Sequence, residues 1–180
     1  MADAPRADAQ RNRERILDVA AGAFADDPGV SMNQIAKQSG VGAGTLYRHF
    51  PTREDLLLAV YAHEIDGLAA AVEDSLAELS PLDAFRYWAR RLAGYVRIKH
   101  GLGDALTTAS AQSLIDSTYA PVTGAIQRFL DAGVATGDVR PDVRASDVLI
   151  MLGALWRVPE TPEGLEQADR LLELVVASLG

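Results

Sequence analysis

The chain has no cysteine. That excludes disulfides, thiolate nucleophiles and cysteine redox chemistry. Histidine is nearly as scarce. His49, His63 and His100 are the whole supply, and no spacing among them suggests a metal site. "HE" at 63–64 lacks the second histidine of a zinc-hydrolase helix. No metal and no cofactor are therefore expected. Long apolar runs are missing too. None approaches the roughly 20 residues that span a bilayer, and "MADAPRADAQRNRERILDVA" holds no apolar stretch of signal-peptide type. A soluble, cytoplasmic protein with no membrane partner is the expectation. An excess of positive charge is the last absence. The net charge is −8, which argues against wholesale nucleic-acid binding.

The distribution of charge qualifies that last point. Residues 1–55 carry seven Lys/Arg and eight Asp/Glu, a net of −1, whereas residues 56–180 carry ten and seventeen, a net of −7. Arg11, Arg13, Arg15, Lys37, Arg48 and Arg53 can share a face in the first part. A local basic face matters more to DNA than the total, because charges beyond about 10 Å are largely screened at 0.1 M salt.

Hydrophobic residues make up 48% of the 180, enough for a sizeable core. They recur at helical spacing almost throughout, and nothing reads as a strand. The fold class is all-α, with about nine helices in three stretches. These are a flexible Ala/Asp-rich tail at 1–9, a helix-turn-helix head at 10–55 and a helical body at 56–180. The first helix is expected at about 10–25, ended by "DDPG" (26–29). Ser31 is an N-cap, with Gln34 completing a capping box before a helix at 32–38. Gly40 follows in the C′ position, where only Gly takes positive φ cheaply. A third short helix spans 43–49, with Leu46 and Phe50 inward. Pro51 stops it, and Thr52 caps a long helix at 53–78. Later helices are expected at 82–99, 104–109, 111–135 with a kink at Pro121, 145–157 and 163–179.

Helix, Gly turn, helix, with Ile35, Ala36, Val41 and Leu46 apolar, is the sequence form of a helix-turn-helix. Leu46 and Phe50 point one way at i, i+4, which leaves Thr45, Tyr47, Arg48 and His49 outward. Gly42, Ala43 and Gly44 keep the leading end of the helix slim enough to approach a groove floor. Arg48 is the candidate base reader, since Arg binds guanine bidentately; a phosphate contact is its alternative. Arg11 and Arg13 reach the minor groove or backbone, or form a solvated arm. Ser31 sits at a helix N-terminus, itself an anion site.

Over residues 11–61, "RNRERILDVAAGAFADDPGVSMNQIAKQSGVGAGTLYRHFPTREDLLLAVY" resembles the TetR family of bacterial transcriptional regulators. An Arg-rich first helix and "GTLYRHFPTREDLL" carry the resemblance. Beyond about residue 65 only the layout is similar. The resemblance implies a homodimer that offers two heads to a palindromic operator in double-stranded DNA, with half-sites about 34–36 Å apart. It implies a small-molecule effector in the body that alters the spacing of the heads, with repression as the family's commoner mode. It places Thr45, Tyr47 and His49 against the DNA backbone or neighbouring base edges. Arg53 falls where the family keeps Lys or Arg for phosphate, and Thr52 beside it both caps and contacts. Gly42, Ala43 and Gly44 depart from members with larger polar side chains there.

Trp88, Tyr95, Thr107, Ser110, Gln112, Asp116, Tyr119 and Trp156 are candidate ligand-pocket residues, against the alternative that aromatic stripes at helical spacing are core. The resemblance puts the dimer interface on the last two helices, at Leu149, Gly153, Ala154, Leu171, Leu174 and Val175; burial within the chain is the alternative. "LLELVVASLG" (171–180) is apolar on more than one face, too much for a simple surface helix.

An enzyme is disfavoured. "GVGAG" (40–44) has Thr45 where a dinucleotide glycine box needs its last Gly, and no strand precedes it. No Ser/His/Asp order falls on a strand–turn–helix elbow. The remaining alternative is a helical binding or adaptor protein whose helix-turn-helix does not read DNA.

Overall fold

A computed structural model describes residues 4–27, 29–100, 109–159 and 161–180. Among them the secondary structure is entirely helical. In chain order the helices are α1 (Ala4–Asp26), α2 (Met32–Gln38), α3 (Ala43–His49), α4 (Arg53–Ala70), α5 (Val72–Glu78), α6 (Pro81–His100), α7 (Ala109–Thr136), α8 (Ala145–Leu152) and α9 (Pro162–Ala177). They fall into two compact units. The described residues up to Glu64 form one, together with the first turns of α7 to Leu114; Ile65–His100 and Ile115–Gly180 form the other.

The first unit is built on an apolar cluster. Ile16, Leu17, Ala20 and Phe24 of α1 meet Met32, Ile35 and Ala36 of α2, Leu46 of α3, Phe50, and Leu56, Leu57 and Val60 of α4. The 3.6-residue spacing of these positions puts one stripe of each helix inward. The second unit is centred on an aromatic trio. The Phe85 and Phe129 rings meet edge-on at 6.0 Å, and Trp88 lies 5.7 Å from Phe129. At its surface Arg86 Nε donates to both carboxylate oxygens of Glu173, at 3.0 and 3.1 Å, and Arg90 Nε donates to Asp169 at 2.7 Å, so α6 clasps α9. The hydrogen bond from Ser80 at the start of α6 is the main cause that holds the Asp83 carboxyl below its usual range.

Three boundaries differ from the sequence reading by more than two residues. α1 starts at Ala4, not near residue 10. Pro5 falls in its first turn, where a missing N–H breaks no helical hydrogen bond. The helix expected over 53–78 is interrupted at Ala71, the N-cap of α5. α8 ends at Leu152 rather than 157. From there Ala154, Leu155 and Arg157 donate to carbonyls three residues back, a tighter 3₁₀-type winding that begins at Gly153. α7 runs through Pro121 as one helix. Of the short helix expected at 104–109, residues 104–108 lie outside the described residues.

The turn before α9 has its own steric requirement. Thr161 caps the helix through Gly164 N–H (3.2 Å), and Pro162 occupies its first turn. A Cβ on Gly164 would stand 1.9 Å from the Pro159 carbonyl oxygen. Gly164→Ala is therefore expected to destabilise the second unit by about 2 kcal/mol. Gly124→Ala, in open space on α7, is expected to be neutral or stabilising by up to about 1 kcal/mol. Denaturation followed by Trp fluorescence checks both, since Trp88 and Trp156 belong to this unit.

Candidate nucleic-acid interface

The exposed face begins with local chemistry at α2. Ser31 has extended backbone, and its Oγ accepts from Gln34 N–H at 3.3 Å. Gln34 Oε1 accepts from Ser31 N–H at 2.9 Å and from the Ser31 hydroxyl at 2.7 Å. This is the expected capping box. At the far end Gly40 has φ +66°, a conformation that side chains resist. Val41 N–H returns to the Ala36 carbonyl at 3.0 Å. The chain thus reverses within a few residues and starts α3 at Ala43.

α3 has seven residues, and Leu46 is its buried anchor. Phe50, which ends it, is buried as well. The other side of the helix is outside. Ala43, Gly44, Tyr47 and Arg48 are exposed, and Thr45 and His49 are half-buried. A Cβ at Gly42 or Gly44 would meet nothing within 4 Å. The leading end of α3 is therefore slim and open, as its sequence requires. Arg48 Nη2 donates to Thr45 Oγ1 at 3.3 Å, one turn back, which holds the guanidinium along the exposed face. Tyr47 is 45% exposed, so its hydroxyl-bearing ring is available rather than packed away.

The flanking residues divide. Thr52 caps α4 reciprocally: its N–H and hydroxyl donate to Asp55 Oδ2 at 3.0 and 2.8 Å, and its Oγ1 accepts from Asp55 N–H at 3.0 Å. It remains exposed. Two arginines differ from the outward placement read from sequence. The Arg13 guanidinium lies over the Phe50 ring, 5.3 Å from its centroid. The Arg53 guanidinium lies over Phe24 at 4.8 Å, and its Nη1 donates to the Val30 carbonyl. Aromatic faces attract cations, and both rings belong to the buried cluster. Sequence reasoning did not single out Phe24 as a partner. It stands 29 positions before Arg53, and only the folded chain brings the two together. His63 was considered only as a metal ligand. It instead pairs through Nε2 with Asp18 Oδ1 at 2.9 Å, tying α4 to α1.

The candidates in the second unit also separate. Trp88 is 2% exposed, and its indole N–H donates to the Leu68 carbonyl at 3.1 Å. It is a buried residue with its one polar group already engaged. Tyr95 is half-buried and accepts from Arg91 Nη2 at 3.1 Å. Asp116 is exposed, Tyr119 is 53% exposed and Trp156 is half-buried. Thr107 and the side chains of Ser110 and Gln112 lie outside the described residues. Among the interface candidates, Leu174 is 67% exposed, Ala154 is exposed, and Leu149, Gly153 and Leu171 are half-buried. Val175 is 5% exposed. Its own unit already covers most of it. Ile150, 76% exposed on α8, was not singled out and extends the same apolar surface type. Among the described residues, no helix is long and apolar enough to cross a membrane.

Comparison with known proteins covers both parts of the chain. Residues 16–60 match the family described as bacterial regulatory proteins, tetR family. Residues 80–180 match the C-terminal domain of SbtR-like transcriptional regulators. The fold is similar to a TetR transcriptional regulator from Streptomyces coelicolor, with 36% identity, a TM-score of 0.79 and coverage of 93% of this chain and 97% of that one. It is also similar to a TetR transcription regulatory protein from Mycobacterium vanbaalenii, with 30% identity, a TM-score of 0.72 and coverage of 97% and 98%. An HTH-type transcriptional regulator of Staphylococcus aureus is 48% identical over 64 residues, 34% of this chain and 34% of that protein. The match thus spans about a third of the length of such curated relatives.

The capping box carries its own expectation. Ser31→Ala removes the acceptor for Gln34 N–H, a loss of about 1 kcal/mol, so amide exchange across α2 is expected to speed up about fivefold. Hydrogen-exchange measurements on residues 32–38 check this.

Proposed function

The chain belongs to the TetR family of transcriptional regulators, and we propose on that premise that it is a ligand-responsive repressor. It binds a palindromic operator as a homodimer and is released by a small-molecule effector held in the body. The observation that carries the reading is α3. A short helix fixed by Leu46 presents Thr45, Tyr47 and Arg48 outward behind a leading end that is slim at Gly44. Such a helix fits a major groove, with Arg48 suited to guanine and the hydroxyls to phosphate. Ser31, His49 and Thr52 flank it. Arg13 lies beside it with part of its charge held on Phe50. Repression rests on the family's commoner mode. The effector site is assigned to the second unit, with Tyr95, Asp116, Tyr119 and Trp156 as its described candidates.

Dimerisation is supported by unpartnered apolar surface. Ile150 and Met151 on α8 and Leu174 on α9 are exposed in the single chain, and a shallow groove along α9 is lined by Gln167, Arg170, Leu171 and Leu174 among others. Two such helix pairs across a two-fold axis form a four-helix bundle that would cover this surface. Leu174→Glu is expected to halve the sedimenting mass, and an unchanged profile would remove α9 from the interface. Gly153 is a poor test site, since a Cβ there would lie 2.7 Å from the Ile150 carbonyl oxygen and disturb the turn itself.

Fluorescence anisotropy with the DNA flanking the protein's own gene tests the reading. Binding should resist unrelated competitor DNA and weaken with salt by a slope of about −0.9 per phosphate contacted. An adaptor would show no such slope. Arg48→Ala is expected to weaken specific binding by about 1–3 kcal/mol more than non-specific binding. Equal losses would make Arg48 a phosphate contact.

A further inference from the structure

We propose that Arg53 is a positioning residue of the head rather than a phosphate contact. Its guanidinium fixes the start of α2 and, through α2, the angle at which α3 is presented. The affinity part of this inference rests on the DNA-binding reading above; the structural part does not.

The geometry is specific to a guanidinium. Arg53 stands in the first turn of α4 and is half-buried. Its guanidinium lies over Phe24, the buried aromatic of α1, with Cζ 4.8 Å from the ring centroid. In the same pose Nη1 donates to the carbonyl of Val30. A guanidinium spreads its charge and several donors over a rigid fork, so it can sit over a ring and still reach a carbonyl, whereas an ammonium is a compact point charge. Val30 is 5% exposed, and a carbonyl in such surroundings needs a donor.

That carbonyl immediately precedes Ser31, the N-cap of α2. The connection from α1 to α2 is otherwise held by Val30 N–H to the Asp27 carbonyl at 3.0 Å and Gly29 N–H to Asp27 Oδ1 at 2.8 Å. Both of those bonds are local. Arg53, from α4, adds a long-range tie to this turn through the Val30 carbonyl. α2 packs on α1 on one side and on α3 on the other. A tilt of its first turn therefore passes to α3 through Ile35 and Ala36, which share the cluster with Leu46. A charge laid on a ring and spent on a backbone carbonyl is a fastener between three helices, and reading DNA requires that α3 be held still.

Three substitutions separate positioning from phosphate contact. Arg53→Lys keeps the charge and loses the fork. Arg53→Met loses both. Phe24→Leu leaves Arg53 intact and removes the ring. For each variant, affinity for the flanking DNA and for unrelated DNA is measured across a salt series, and amide exchange is measured over residues 29–38. All three are expected to weaken specific binding about tenfold, the loss that goes with one misplaced base contact. The salt slope should stay at the wild-type value, lysine should not rescue, and exchange at the start of α2 should quicken in all three.

The proposal is overturned if Arg53→Met reduces the slope by about 0.9, lysine restores it, and Phe24→Leu binds as wild type. If Arg53→Met does not fold, the lysine and Phe24 variants carry the same contrast. If wild type itself shows no salt-sensitive binding, the regulator reading fails. Exchange alone then decides, and unchanged protection of α2 in Arg53→Lys and Phe24→Leu overturns the positioning role.

Discussion

A seven-residue helix cannot stand alone in water, because nucleation costs more than two turns return. α3 exists because Leu46 is buried in the cluster of the first unit and because Gly40, at φ +66°, turns the chain so that α3 starts where α2 can hold it. Everything the head offers to a partner follows from that constraint. One side of α3 is committed to the core, so Tyr47 and Arg48 have only the outside left. The capping boxes at Ser31 and Thr52 and the buried Phe50 then fix where the helix and its neighbours begin and end.

The constraint also resolves the charge question. A chain of net −8, with a head of net −1, does not look like a DNA binder by total. The head does not use its cations uniformly. Arg13 and Arg53 lie on aromatic faces of the core, where they hold helices together. Arg11 and Arg15 bond to Asp8 and Asn12 within α1. Arg48 is laid along the exposed face of α3 by Thr45. One well-placed guanidinium on a rigid helix can supply sequence discrimination that a diffuse positive charge does not. The acidic excess sits in the remainder of the chain, where α6 and α9 turn part of it into inter-helix ion pairs.

Local signals were legible in the sequence. The bounds of α2 and α3, the capping box at Ser31 and the positive φ at Gly40 each depend on a few consecutive residues and fall where their residue types place them. The family resemblance was legible for the same reason, since its motif is contiguous. The rest depended on contacts between distant positions. Nothing in "AAAVEDS" marks the break at Ala71, since the stretch holds neither Pro nor Gly. Val175 and Leu174 are neighbours of one hydrophobic type, yet one is core and the other is surface. Arg53 was read outward because its fastening points, Phe24 and Val30, lie on other elements. The burial of Trp88 was not legible either, since its partner, the Leu68 carbonyl, is 20 positions away.

The most direct measurement is amide chemical-shift mapping of the full isotopically labelled chain, titrated with a duplex from the flank of its own gene. The account predicts perturbations centred on residues 42–49, with weaker ones at Ser31 and Thr52, that fade as salt is raised. Perturbations confined to the second unit, or none along α3, would contradict it.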